Sequence, residues 1–244
     1  MSNRTNPNYL KNYQYYDSQN LNARINLHRR FSTNNQDWFR WVFDQFALPT
    51  PAQILELGCG SGLLWKMNLD RIPIGYQVFL SDFSPGMIFQ ARLNIGTASG
   101  AFCYSVLDAQ SVPYSAVCFD LVIANHMLYH IPNRSLALNE IHRVLKPGGK
   151  MGVSDSVTSG ELREKIKNDL AAWAGCVAGA VDIDMYTHAI ENAGLQDVVV
   201  KPVFFGPEMM REAESHIDLK DLAGIPPEKL QSAIFSAKIT AHKP

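Results

Sequence analysis

From residue 53 onward, short apolar runs of strand length alternate with stretches of helical period. The runs Gln53–Leu57, Gln77–Asp82, Phe102–Leu107, Asp120–Asn125, Lys150–Ser154, Asp197–Lys201 and Ala233–Thr240 predict seven strands. Helices fit between them. One starts near Gly62, and a second opens at Ser84-Pro85, where serine caps free N–H groups and proline suits the first turn. A third, from Ser135 to Leu145, carries Leu136, Leu138, Ile141 and Val144 on an apolar face and stops at Lys146-Pro147-Gly148-Gly149. A fourth begins near Asp184 and ends at Gly194. This alternation predicts a doubly wound α/β fold: a mostly parallel seven-stranded sheet, its last strand antiparallel, with helices on both faces.

Ahead of the sheet, Trp38, Trp41, Val42, Gln45 and Phe46 share one face at 3.6 spacing, widened by Phe39 and Phe43, so this helix packs on the sheet. Residues 10–31 are more polar and suit an arm or lid. The expected organisation is therefore a helical cap over 1–50 and one domain over 51–244, with a substrate-side insertion at about 156–181. Both additions should reach the carboxyl ends of the strands, where open α/β sheets bind ligands.

Composition narrows the partners. Apolar residues make up 46% and charged residues 18% of 244, enough for a sizeable core. A net charge of −1 speaks against nucleic acid as the main partner. The polar start "MSNRTNPNYLKN" lacks a signal-peptide core, and the run "AAWAGCVAGAV" is too short to span a bilayer. Four cysteines show no metal-ligand spacing. The expectation is a cytoplasmic protein acting on a small molecule, with no metal and no membrane partner; the oligomeric state stays open.

The stretch "ILELGCGSG" at 54–62 holds the chemistry. A P-loop would need Gly-Lys-Ser/Thr after its glycines, and a dinucleotide fingerprint would place the third glycine at 63, which is Leu63. The spacing Gly58-x-Gly60-x-Gly62, with Glu56 upstream, lets a bulky cofactor lie on bare backbone. No basic residue follows to meet a phosphate. Asp82 ends the second strand, where a carboxylate can take both ribose hydroxyls. Asp108, after the third strand, can accept from an adenine amino group, and the Ala109 N–H can reach a ring nitrogen. Three acidic anchors at successive strand ends fit a nucleoside with a cationic tail and no phosphate, a description S-adenosylmethionine meets.

The ordered segments "ILELGCGSG", "LSDFSPGMI", "LDAQSVPY", "FDLVIANHMLYHIPN" and "EIHRVLKPGGK" resemble class I S-adenosylmethionine-dependent methyltransferases over about 54–155. The resemblance implies the Rossmann-like methyltransferase fold. It also implies that Glu56, Gly58, Gly60 and Gly62 bound the methionine moiety. Asp82 would hold the ribose, Phe83 and Met87 would pack on adenine, and Asp108 with Ala109 would read its edge.

Asn125, His126, Tyr129 and His130 follow the fourth strand, beside the expected methyl; Asn125 is grouped with the cofactor contacts. His126 and His130 are the candidate bases, alternatives to packing and loop-orienting roles. Tyr13, Tyr15, Tyr16, Arg24 and His28 of the lid, with Tyr129, Trp173 and Cys176, would close the pocket and choose the acceptor. The stretch around Cys176 resembles the carboxyl half of arsenite methyltransferases, which implies that Cys176 binds trivalent arsenic. The chain departs from that family in placing His126 where another arsenic-binding cysteine stands. Three readings follow: methylation of an organic N, O or S atom; arsenite methylation; and a cofactor-binding protein with a non-methylating role.

Overall fold

The computed structural model describes residues 6–17, 21, 25, 36–96, 101–160, 180–204 and 233–244. Its sheet contains β1 (Ala52–Leu57), β2 (Tyr76–Asp82), β3 (Phe102–Val106), β4 (Phe119–Asn125), β5 (Leu145–Thr158), β6 (Val181–Asp182), β7 (Gln196–Phe204) and β8 (Ile234–His242). The order is β3-β2-β1-β4-β5-β8-β7, with the two-residue β6 paired to β5 off that path. Only β8 runs against its neighbours, so the mostly parallel sheet with one antiparallel strand matches the pattern read from the sequence. The order reverses between β1 and β4, and that switch point opens a crevice at the strand tips.

Side-chain alternation along the strands sorts two cores. On one face, Val42 and Phe43 of α1 (Trp38–Asp44), Leu64 and Trp65 of α2 (Leu63–Lys66), and Ile88 and Ala91 of α3 (Pro85–Ile95) cover Ile54, Val78, Leu80, Leu121 and Ile123. On the other, Ala137, Leu138 and Ile141 of α4 (Arg134–Val144) and Tyr186 and Ile190 of α5 (Ile183–Asn192) cover Leu55, Leu57, Val122, Val153 and Ala237. Trp65 is fully buried, and its truncation to alanine would cost about 3–5 kcal/mol.

Helix starts follow the capping chemistry. Ser84 Oγ accepts from the Met87 N–H, with Pro85 in the first turn. Asn133 caps α4 through the Leu136 N–H, and Asp182 caps α5 through the Asp184 N–H.

β5 departs from expectation. The strand spans fourteen residues, not Lys150–Ser154, and passes through Pro147-Gly148-Gly149. Leu145 pairs with Phe119 across a register shift, while Gly148 (φ 73°) and Gly149 exchange backbone hydrogen bonds with Lys243. Beyond the tip of β4, pairing with β8 carries β5 on to Thr158. The expected insertion helix within 156–181 falls largely on residues outside those described; 156–158 belong to β5.

Before the sheet, a helical stretch Pro7–Tyr9 continues as a π-helical turn, Leu10–Gln14.

Candidate active site

The tips of β1, β2 and β4, with the loop after β3, wall one pocket. Leu57, Gly58, Gly60, Asp82, Phe83, Ser84, Leu107, Asp108, Ala109, Gln110 and Asn125 form its sheet side, and His126, Met127, Tyr129, His130, Ile131 and Pro132 its far side. Leu10, Tyr15, Leu21 and Ile25 complete it from the N-terminal segment.

The glycine loop is folded as its spacing demands. Gly58 (φ 68°) and Gly60 (φ 54°) adopt left-handed backbone, which side chains rarely tolerate. A Cβ on Gly58 would stand 2.7 Å from Met127 Cβ, and one on Gly60 2.9 Å from Leu21 Cδ2. Bare backbone therefore faces the pocket at both positions.

Asp82 ties β2 to this loop. Its carboxylate accepts from the Gly60 N–H at 3.0 Å and the Ser84 N–H at 2.8 Å. Burial raises its pKa to about 6, against the pull of the Ser84, Gly60 and Phe83 N–H groups. Each oxygen keeps a lone pair for a hydroxyl donor. Asp108 also lies on the wall, and accepts from both the backbone N–H (2.9 Å) and the side-chain amide (3.1 Å) of Gln110. The Asn125 Nδ2 group is buried and has no partner among the described residues, although Asn125 lines the pocket. A buried donor left open is costly unless a ligand takes it.

Three expected cofactor contacts are placed elsewhere. Glu56 alternates onto the α2 side of β1, under the loop, where its Oε2 accepts from Trp65 Nε1 at 2.6 Å. It is 3% exposed and forms no part of the pocket wall. Burial lifts its pKa to about 7, the Asp82 charge adds to that, and the Trp65 hydrogen bond opposes it. Gly62 caps α2 and packs against α3: a Cβ there would meet Ala91 Cβ and Ile95 Cδ1 at 3.1 Å. Met87 is fully buried in the protein and off the wall. Phe83, partly exposed, lines the pocket as expected.

On the acceptor side, the Tyr15 hydroxyl lies 2.6 Å from His130 Nε2, with the rings edge to face at 5.4 Å. Ser84 Oγ donates to the Tyr15 carbonyl at 2.6 Å, so the same residue is held at both ends. The Tyr16 carbonyl sits so close to Gly86 that a Cβ there would be 2.0 Å away. Tyr16 and Tyr13 themselves are 71% exposed, contrary to the expectation that they line the pocket. Tyr129 is buried on the wall beside His130, ring centroids 4.2 Å apart. His126 has φ 54°, a costly conformation outside glycine, fixed by its N–H donating to the Ser154 carbonyl at 2.7 Å. Arg24, His28, Trp173 and Cys176 lie outside the described residues.

Among the polar and loop residues of the wall, sequence reasoning missed Ser84, Gln110 and Met127, and it also missed the apolar lining Leu10, Leu21, Ile25, Leu57, Leu107, Ile131 and Pro132. The capping signature at Ser84-Pro85 could have located the first; the others had no local signal.

The wall fits S-adenosylmethionine. It offers bare backbone, two carboxylates at strand tips and an unpartnered amide donor, and among its described residues no lysine or arginine to meet a phosphate.

Residues 55–153 match the family model described as a methyltransferase domain. An arsenite methyltransferase of Halobacterium salinarum is 25% identical over 201 residues, 82% of this chain and 49% of that protein. The ubiquinone/menaquinone biosynthesis C-methyltransferase UbiE of Desulfotalea psychrophila is 31% identical over 130 residues, 52% of each chain. The chain thus spans about half the length of these curated relatives. Among solved structures, phosphoethanolamine N-methyltransferase 2 of Haemonchus contortus, in complex with S-adenosyl-L-methionine, superposes with a TM-score of 0.72 at 18% identity, over 100% of this chain and 60% of that one. Fold, motif order and family match agree: residues 55–153 form a methyltransferase domain of the class I, S-adenosylmethionine-dependent type.

Proposed function

We propose that this chain transfers the methyl group of S-adenosylmethionine to a small organic acceptor seated between the cofactor and His126, Tyr129 and His130. The observation that carries the reading is the pocket wall itself: glycine backbone and carboxylates on one side, an imidazole–phenol pair on the other. Bound there, the cofactor supplies a methyl carbon already electrophilic through its sulfonium.

The protein's own work is alignment and exclusion of water, which account for much of the acceleration in such displacements. Gly58 and Gly60 let the cofactor lie close, Asp82 takes its ribose hydroxyls, and Asn125 Nδ2 finds its missing acceptor. The N-terminal segment acts as a lid, with Leu10 and Tyr15 in the wall and Ser84 latching Tyr15 to the start of α3. Where the acceptor has a proton to lose, His130 Nε2 is positioned to receive it, directly or through the Tyr15 hydroxyl. His126, held in a strained backbone, shapes the acceptor side.

Arsenite methylation is the second reading, favoured by the match to the Halobacterium protein over most of the chain. Such a soft centre needs converging thiolates. Among the described residues no thiol lines the pocket; Cys59 is buried, and burial with the charges of Asp82 and Glu56 holds it as a thiol. The experiment is release of S-adenosylhomocysteine against a panel of amines, phenols, thiols and arsenite with a thiol. Turnover of an organic acceptor that survives Cys176→Ser and falls in His130→Ala supports the proposal. Turnover of arsenite alone, abolished by Cys176→Ser, replaces it with the second reading.

A further inference from the structure

β5 outruns β4 by four residues, from Ser154 opposite Asn125 to Thr158. Over that length β8 lies beside it, with Ser154 opposite Lys238 and Ser156 opposite Ser236, and β6 pairs its other edge at Val157 and Thr158. The alternation that sends Val153, Val157, Ala237 and Ile239 into the α4–α5 core sends these four polar side chains to the α1 face. Ser154 and Ser156 are buried there, at 2% and 3% exposure.

Lys238 is the unusual member. Its Nζ donates to Ser154 Oγ at 2.5 Å and to Ser236 Oγ at 3.3 Å. The same ammonium lies 5.2 Å from the Trp38 ring centroid and 5.7 Å from that of Trp41, both on α1. Trp38 in turn stands 5.4 Å from the ring of His126, which lines the pocket. Among the described residues no carboxylate comes within ion-pair distance of Lys238. The charge that acts on it, Asp155, points to the opposite face, where it accepts from the Tyr186 hydroxyl and is itself raised to about 7 by burial.

A half-buried ammonium with no carboxylate in reach among the described residues is costly, and hydroxyls and indole faces replace its lost water only in part. Each serine that accepts from Nζ still has a proton to give. A third N–H and two hydroxyl protons are thus available on one side of the sheet to an oxyanion. Desolvation lowers Lys238 to about 8, which leaves it mostly protonated near neutrality.

We propose that Lys238, with Ser154 and Ser236, binds an oxyanion group of the methyl acceptor — a carboxylate or a phosphate monoester — and so selects anionic acceptors. The placement deepens the methyl-transfer reading and rests on it for the word acceptor; the anion site itself does not.

The first test needs no turnover. The full chain, carrying 13C,15N-lysine and saturated with S-adenosylhomocysteine, is titrated separately with inorganic phosphate and with acetate. The Lys238 signal is identified by its loss in Lys238→Met and its replacement in Lys238→Arg. A saturable shift of that signal in the millimolar range, beyond any shift of the other lysines, supports the site; phosphate alone points to a monoester, acetate alone to a carboxylate. A Lys238 signal that stays still with both, or moves no more than surface lysines, overturns it. The second test compares an acidic acceptor with its methyl ester. Lys238→Met should collapse the preference for the acid in kcat/KM by about 10–100-fold, the scale of a lost charged hydrogen bond, and Lys238→Arg should keep most of it. An unchanged preference in Lys238→Met overturns selection by this residue. If no methyl transfer is found with any acceptor, the enzymatic reading fails while the lysine titration still decides the anion site.

Discussion

Replacing Glu56 by glutamine should stabilise the ligand-free protein at pH 8 and leave it almost unchanged at pH 5. The carboxyl is enclosed beneath the glycine loop, with Trp65 Nε1 as its hydrogen-bond donor and Asp82 as a like charge nearby. Its pKa rises from an ordinary 4.5 to about 7. A group raised on folding contributes stability that is complete below 4.5 and is lost as pH climbs through 7. For this displacement the loss is about 3 kcal/mol. Glutamine is neutral throughout, and its carbonyl oxygen can still accept from Trp65. At pH 8 the variant should therefore melt about 5–10 °C higher than wild type, at the usual 2–4 °C per kcal/mol for a chain of this size. At pH 5 wild type has regained its proton, and the difference should shrink to a degree or two, about the worth of an imperfect hydrogen bond for the glutamine amide.

Scanning calorimetry at the two pH values measures this effect. A variant destabilised equally at pH 5 and pH 8 would refute the reasoning.

The other predictions concern the pocket wall. Asp82 accepts most strongly from two ribose hydroxyls when ionised, and its pKa of about 6 places the change within an accessible range; cofactor affinity should rise between pH 5 and 7 and level off above. Isothermal titration checks this, and an affinity that falls over that interval would contradict the role given to Asp82. Tyr15→Phe removes the hydroxyl 2.6 Å from His130 Nε2 and leaves the ring packing. It should lower kcat about 10–100-fold on an acceptor that must lose a proton and move its pH–rate profile. An acceptor already deprotonated should be less affected.

What the sequence disclosed was what depends on neighbours along the chain. The alternation of runs gave the strands and their layers. The cap at Ser84 fixed one helix start, and the Gly58–Gly60 spacing marked the loop that walls the pocket. Asp82 and Asp108 could be read because strand tips converge whatever the rest of the fold does. Glu56 was misassigned to the pocket because strand alternation turns it toward Trp65, nine positions on, and that packing has no signature in spacing. Gly62 looked like part of the cradle, yet its lack of a side chain serves contact between α2 and α3. The long β5 was hidden by Pro147-Gly148-Gly149, breakers in isolation that pairing with Phe119 and Lys243 accommodates. Tyr15 and His130, 115 positions apart, and Lys238 under its two tryptophans exist as units only once the sheet has closed.

The central claim is that a sulfonium nucleoside lies on the Gly58–Gly60 backbone between Asp82 and Asn125. Isothermal titration of the full chain with S-adenosylmethionine, S-adenosylhomocysteine and a nicotinamide dinucleotide tests it directly. The account predicts saturable heat with the first two, strongly reduced in Asp82→Ala, and none with the third. Binding of the dinucleotide, with no heat from either sulfur nucleoside, would contradict it.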